Sequence, residues 1–260
     1  MNIPELREKS ELANKILEND TPYFSDKNVI YRLFLNENIS LTKDIVERQL
    51  TMIDSYYSTN MSKRYYGIEE IAESIVKVST DFEELNVIFS NYKDRPIDYP
   101  LITMLFDDSY GYNKIGKRFG QARSLLSKYA YFATHFNFPI YDSIVKKVYL
   151  SVAGKELAQQ RFDDFTLAMN QLLISSNVVN YNKLDNLLWL IGKILRGNYS
   201  LILRKDKYLR LVSKIDGLGG LKSAEIDGKI MKYSNVNIEN LSDVFTKDQI
   251  EMIRYCRSLQ

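Results

Sequence analysis

The sequence predicts an all-α protein. Apolar residues recur at helical spacing along most of the chain, whereas apolar/polar alternation of the β type is scarce. The only prolines are Pro4, Pro22, Pro96, Pro100 and Pro139, so no proline interrupts a helix beyond residue 139. One short extended piece, "FPIY", stands out against this background.

Taken in order, the first 25 residues are polar and charged and are expected to pack only loosely. "LTKDIVERQLTMIDSYY" brings Ile45, Leu50, Ile53 and Tyr57 near one face. A turn is expected near 57–64. "GIEEIAESIVKV" then repeats Ile68, Ile71, Ile75 and Val78 on a helical face. Turns follow near 91–100 and 107–113, and 91–113 is the best boundary between lobes. The segment 116–150 reads as a Gly-containing basic turn, a helix from about Gln121 to Thr134, the extended "FPIY", and a second helix opened by Asp142. The two helices are expected to lie antiparallel. "KLDNLLWLIGKIL" is a further amphipathic helix, and "DGLGG" at 216–220 a turn. There is no internal repeat or low-complexity linker. The whole is expected to be one domain, 1–260, with sub-lobes of about 26–105 and 106–260.

Composition narrows the function. A chain of 260 residues with 45% hydrophobic and 26% charged residues can bury a core. No apolar run is long enough to span a membrane, and the N-terminus lacks the apolar region of a secretory signal. A cytoplasmic, nucleoid-associated monomer is expected. Cys256 is the one cysteine and His135 the one histidine. They argue against a disulfide framework, an iron–sulfur cluster and a histidine-based zinc site, and any Ser–His–Asp triad would have to use that single imidazole. His135, at a helix end beside aromatics, reads as a capping or packing residue. The chemistry left is that of carboxylates, lysines and hydroxyls, and no metal or cofactor is called for.

Net charge is only +2, but it is unevenly placed. No acidic residue occurs from Ser109 to Tyr141, a span holding Lys114, Lys117, Arg118, Arg123 and Lys128. A second basic region, Lys193 to Lys214, contains Asp206 as its one acid. Such runs form either a one-sided positive face for nucleic acid or two solvated helix faces. The 19 tyrosines fit base stacking or core packing equally, and an AT-rich coding bias inflates their number.

Asp142 has two compatible readings. A carboxylate before a helical run is a common N-cap. It also sits where the helix dipole favours negative charge, close to a basic turn whose backbone N–H groups suit a phosphate.

On these residues the chain resembles the helix–hairpin–helix DNA glycosylase superfamily. "FPIYDSIVKKV" is similar to the Phe-Pro-Ile-Leu-Asp…Val-Lys-Arg-Val run of adenine-specific mismatch glycosylases. "SKYAYF…FPIYDS", "KLDNLLWLIGK" and "MIDSYYSTNM" resemble segments of bacterial proteins described as having an 8-oxoguanine glycosylase fold. The resemblance is strongest over 114–150 and weaker over about 45–195. It implies a two-lobed helical glycosylase-like fold that flips a modified base out of double-stranded DNA and breaks its N-glycosidic bond. Asp142 would stabilise the oxocarbenium-like sugar.

Some members add a lysine nucleophile that forms a Schiff base and nicks the strand. A gap-free alignment puts Arg123 or Ser124 there; with a shorter loop, Lys128 takes the role, and otherwise water attacks. The hairpin is degenerate, since "KIGKRFGQAR" lacks the Pro-Gly-hydrophobic-Gly order. Expected DNA contacts are Lys114, Lys117, Arg118, Gly120 and Arg123. Tyr57 and Asn60 lie in a loop suited to fill the hole left by a flipped base, or simply to join two helices. Lys222, after Gly217, Gly219 and Gly220, marks a second hairpin-like run or a helix C-cap. Trp189 has core spacing. The alternative is a catalytically silent DNA-binding protein on the same fold, serving in phage defence.

Overall fold

The computed structural model describes residues 5–19, 21–35, 40–157, 161–216 and 241–259. Among them lie twelve α-helices and no β-strand: α1 (Glu5–Glu18), α2 (Pro22–Tyr31), α3 (Lys43–Tyr57), α4 (Gly67–Val78), α5 (Phe82–Tyr92), α6 (Pro100–Asp107), α7 (Arg123–Ala133), α8 (Ser143–Ala153), α9 (Phe162–Ser176), α10 (Tyr181–Leu195), α11 (Lys205–Asp216) and α12 (Lys247–Ser258). The all-α expectation holds. No helix of the described residues is long and apolar enough to cross a membrane.

Helix starts follow local chemistry. Thr21, Thr42, Asp81, Asp142 and Asn180 each accept a backbone N–H in the first turn of the following helix. Thr246 and Gln249 form a reciprocal capping box ahead of α12. On α3, Val46, Leu50 and Ile53 are buried, and on α4 Ile71, Ala72 and Ile75. These two helices pack together and carry α7 against α3.

The loose packing expected for the first 25 residues is corrected. Leu6, Ala13, Ile16 and Leu17 form a buried stripe on α1, which packs against α10 and α12. Ion pairs from Lys9 to Glu251 and from Lys183 to Glu11, at 2.7 and 2.6 Å, rim that contact. An acidic and basic N-terminus hid an ordinary amphipathic face.

The expected "FPIY" segment is extended, and it is held from two sides. Phe138 enters a buried aromatic stack with Tyr92, Phe106 and Phe162, in which the Phe106 and Phe162 ring centroids are 3.8 Å apart. The Tyr141 N–H donates to the buried Ser127 hydroxyl of α7 at 2.9 Å. Asp142 therefore begins α8 at a fixed point. The antiparallel pairing expected of α7 and α8 is not the main contact: α8 lies chiefly against α10. Gly192 explains the closeness. A Cβ added there would fall 2.1 Å from Ile144 Cγ2 and 3.3 Å from Val148 Cγ2.

Gly192→Ala should therefore destabilise the fold by roughly 1–3 kcal/mol through overpacking, although alanine is the better helix former by about 1 kcal/mol. Denaturant unfolding of Gly192→Ala, Ile144→Ala and the double variant tests this. The double variant should lose less than the two single losses added together, because each substitution makes room for the other.

Candidate active site

A cleft of about 530 Å³ opens where α3 ends and where α7, α8 and α10 meet. That size is within the range of small-ligand pockets. Asp142 and Lys128 share its wall, with Lys128 Nζ 4.0 Å from Asp142 Oδ2. The two carboxylate oxygens divide the work. Oδ1 accepts the Ile144 and Val145 N–H groups at 2.8 Å each, and Oδ2 faces the lysine. The N-cap reading and the site reading thus describe one side chain.

Lys128 rises from the middle of α7. Its side chain is 4% exposed. Nζ donates to the Ser124 hydroxyl at 2.9 Å, and lies 5.5 Å from the centre of the Tyr57 ring. Burial lowers its affinity for a proton below the ordinary lysine value, while Asp142 and Asp185 pull the other way. A neutral amine is the form that attacks carbon, so an amine of this kind suits nucleophilic work. Ser124, one turn before it, orients the amine.

The loop after α3 forms the opposite lip. Ser58 and Asn60 hold left-handed backbone conformations, with φ of 49° and 65°. Asp54 steadies them, taking the Thr59 hydroxyl at 2.5 Å and the Met61 N–H at 3.2 Å. Tyr57 and Asn60 both line the cleft. Strain of this kind persists where surrounding structure imposes it, often at binding sites.

The third wall was not read from the sequence. Trp189 is only partly buried and faces the cleft. The Tyr23 ring lies 4.1 Å from it, centre to centre, and Lys193 Nζ sits 5.2 Å over it. Asp185, Trp189 and Lys193 succeed one another at four-residue spacing on α10, so they form one stripe. That spacing was the available signal, and the apolar residues around it masked it. Behind the wall, the Tyr23 hydroxyl donates to Asn186 at 3.0 Å and to Asp185 at 3.3 Å. Lys27 donates to Asn182 and Asn186. Burial raises the proton affinity of Asp185 and lowers that of Lys27, each countered by the other's charge.

The expected DNA-binding cations part company. Lys114 and Lys117 stand exposed on the loop between α6 and α7. Arg118, from the same loop, is also exposed but donates to both oxygens of Glu70, at 2.7 and 2.8 Å. Arg123 is corrected as a surface contact: it is buried and ion-paired with Asp107, which joins α6 to the start of α7. Gly120 faces open space, and its carbonyl accepts Arg64 Nη1 at 2.6 Å. His135 is exposed at the end of α7, with its Nδ1 3.0 Å from the Tyr31 hydroxyl. Lys222 and the 217–224 turn lie outside the described residues. From the second basic region, Lys193 and Arg196 line the cleft, whereas Arg204 pairs with Asp206 and Lys214 with Asp243.

Comparison with known protein families, with curated proteins and with solved structures finds none that matches this chain.

The buried lysine sets a stability test. Its proton affinity in the fold is below the ordinary 10.5, so between the folded and ordinary values the unfolded chain holds a proton that the folded chain lacks. Stability therefore rises with pH across that window. Lys128→Met should raise Tm near neutral pH, and the gain should shrink as pH approaches 10.5. Thermal unfolding at neutral and alkaline pH checks both signs.

Proposed function

We propose that this protein is a DNA glycosylase that excises a modified base and uses Lys128 as nucleophile. The observation that carries the reading is the buried Lys128 amine 4.0 Å from the Asp142 carboxylate on the wall of an open cleft. The resemblance over 114–150 points to Asp142 directly and, with a shorter intervening loop, to Lys128. Within the family pattern, Lys128 takes the lysine role ahead of Arg123, which is spent on Asp107.

The residues suggest the following order of events. A flipped nucleotide enters the cleft, and its base lies against Trp189 beside Tyr23. Extrusion costs a few kcal/mol, least for a damaged or mispaired base. As the N-glycosidic bond lengthens, positive charge grows on the sugar, and the Asp142 carboxylate opposes it at close range. In its deprotonated form the Lys128 amine bonds to C1′, and the base leaves with the bond's electron pair and takes up a proton. Lys128 loses its own proton, the sugar ring opens to a Schiff base, and elimination of the 3′ phosphate nicks the strand. The Asp142 Oδ1 contacts with α8 stop the carboxylate from turning away. In this reading the protein acts on double-stranded DNA, in base-excision repair.

A second reading, a silent DNA-binding protein on the same architecture and serving in phage defence, draws on one observation. The 114–123 run lacks the Pro-Gly-hydrophobic-Gly order of an intact hairpin, and Arg64 holds it in place through the Gly120 carbonyl.

The deciding experiment incubates the protein with duplexes bearing candidate modified bases, with and without borohydride. Wild type should release base and trap a covalent adduct; Lys128→Ala should trap none. Asp142→Asn keeps an equally good N-cap and should fold, yet lose about 10²-fold or more in base release. Unchanged release by Asp142→Asn sinks its assignment, and DNA binding without release from any substrate favours the silent reading. Trp189→Ala should slow release of a base while sparing cleavage at a ready-made abasic site, because only the former needs the stacking contact.

A further inference from the structure

Among the described residues, the loop between α6 and α7 carries both isolated antiparallel bridges. Tyr112 bridges antiparallel to Tyr65 on one side and to Arg118 on the other. The Asn113 N–H donates to the Lys117 carbonyl at 2.9 Å, and the Phe119 N–H to that of Gly111 at 2.9 Å. Asn113 Oδ1 accepts the Ile115 and Lys117 N–H groups at 3.0 and 2.9 Å, and Gly116 closes the turn at φ 74°. This is a formed hairpin with its own internal bonds.

Its base is braced. Arg118 grips Glu70 of α4, and Arg64 donates to the Gly120 and Gln121 carbonyls while lying 5.0 Å over the Phe119 ring. Gly111 permits this docking, since a Cβ there would come within 2.9 Å of Arg64 Cβ and of the Tyr65 carbonyl. Both anchoring points run directly into the cleft. Gln121 is three residues before Ser124, and Arg64 four residues after Asn60, and both Ser124 and Asn60 line it.

The tip is built differently from the base. Ile115 is 84% exposed at the turn, with Lys114 and Lys117 exposed on either side. Arg64 and Arg118 are spent on contacts within the protein, while Lys114 and Lys117 face outward with no acidic partner within ion-pair distance among the described residues. An isoleucine held out on a rigid, basic turn beside a cleft matches the pattern of an apolar wedge that enters a duplex between base steps, with cations on the flanking phosphates.

We infer that residues 112–119 form a wing that enters the minor groove of a DNA duplex next to the cleft, inserting Ile115 between base pairs and setting Lys114 and Lys117 on the backbone. The inference rests on the glycosylase reading for its choice of DNA. It goes beyond that reading in naming a duplex-specific element outside the cleft. A bent, partly unstacked duplex lowers the energy needed to extrude the neighbouring nucleotide.

The test measures binding rather than base release. Wild type, Ile115→Ala and the double variant Lys114→Ala/Lys117→Ala are titrated with an end-labelled duplex and with the matching single strand over a range of salt. Ile115→Ala should weaken duplex binding about tenfold, keep its salt dependence, and lose the duplex bend seen by end-to-end energy transfer. The double variant should lower the slope of log affinity against log salt by about two. Distamycin, which fills the minor groove, should compete with wild type. Equal circular dichroism and Tm in all three proteins exclude a folding effect.

Variants that bind duplex as wild type does overturn the wing, whatever their base release. So does an equal loss on duplex and single strand, or a self-association abolished by Ile115→Ala with DNA binding intact. Duplex binding that follows these expectations without base release from any substrate leaves the wing standing and removes the glycosylase reading. Absence of DNA binding even at low salt removes both.

Discussion

The cleft depends on how five residues, Phe138 to Asp142, are held. Phe138 is locked in an aromatic stack with rings from α5, α6 and α9, and the Tyr141 N–H is taken by Ser127 on α7. Tyr141 also meets Phe165 edge-on, at 4.9 Å between centres. These contacts draw on helices far apart in the chain. They leave the start of α8 no freedom to shift along its axis, so the carboxylate that caps it is placed to within a side-chain rotamer. The buried Ser127 hydroxyl is one turn from Ser124, and Lys128 follows it directly. The same stretch of α7 thus fixes the extended segment and carries the amine that faces it.

Charge is used inward as well as outward. Arg123 and Asp107 tie two helices together, and Arg118 and Glu70 seat the hairpin. At the cleft, Lys128, Lys146, Lys193 and Arg196 face Asp26 and Asp142. The wall carries more cations than carboxylates, and the deepest of the cations is the one whose charge burial opposes.

Helical class, most helix starts and the Asp142 position were legible because each rests on local rules: apolar spacing, capping residues and the proline pattern. The pairing of Lys128 with Asp142 was legible only in part. The spacing could be read, but the length of the intervening loop decides whether the two meet. Other features were hidden for physical reasons. Arg123 sits in an acid-free stretch, yet its partner Asp107 lies just outside that stretch. Trp189 looks like a core residue because Leu187, Leu188, Leu190 and Ile191 flank it in sequence, and only the approach of α2, bearing Tyr23, shows which side is open. The closeness of α8 and α10 is written in Gly192, a residue that ordinarily argues against a helix interior.

The contact of α1 with α10 and α12 also bears on how the chain is made. Lys9 reaches Glu251, 242 positions onward, and Asn186 reaches Asn14, 172 positions back. A ribosome releases α1 long before either partner exists. During synthesis its apolar stripe must stay exposed or be shielded by other proteins, and the wall that carries Trp189 acquires its outer support only late. The cleft is thus among the last parts of the molecule to become rigid, and α1 is a point where nascent chains are vulnerable to association with one another.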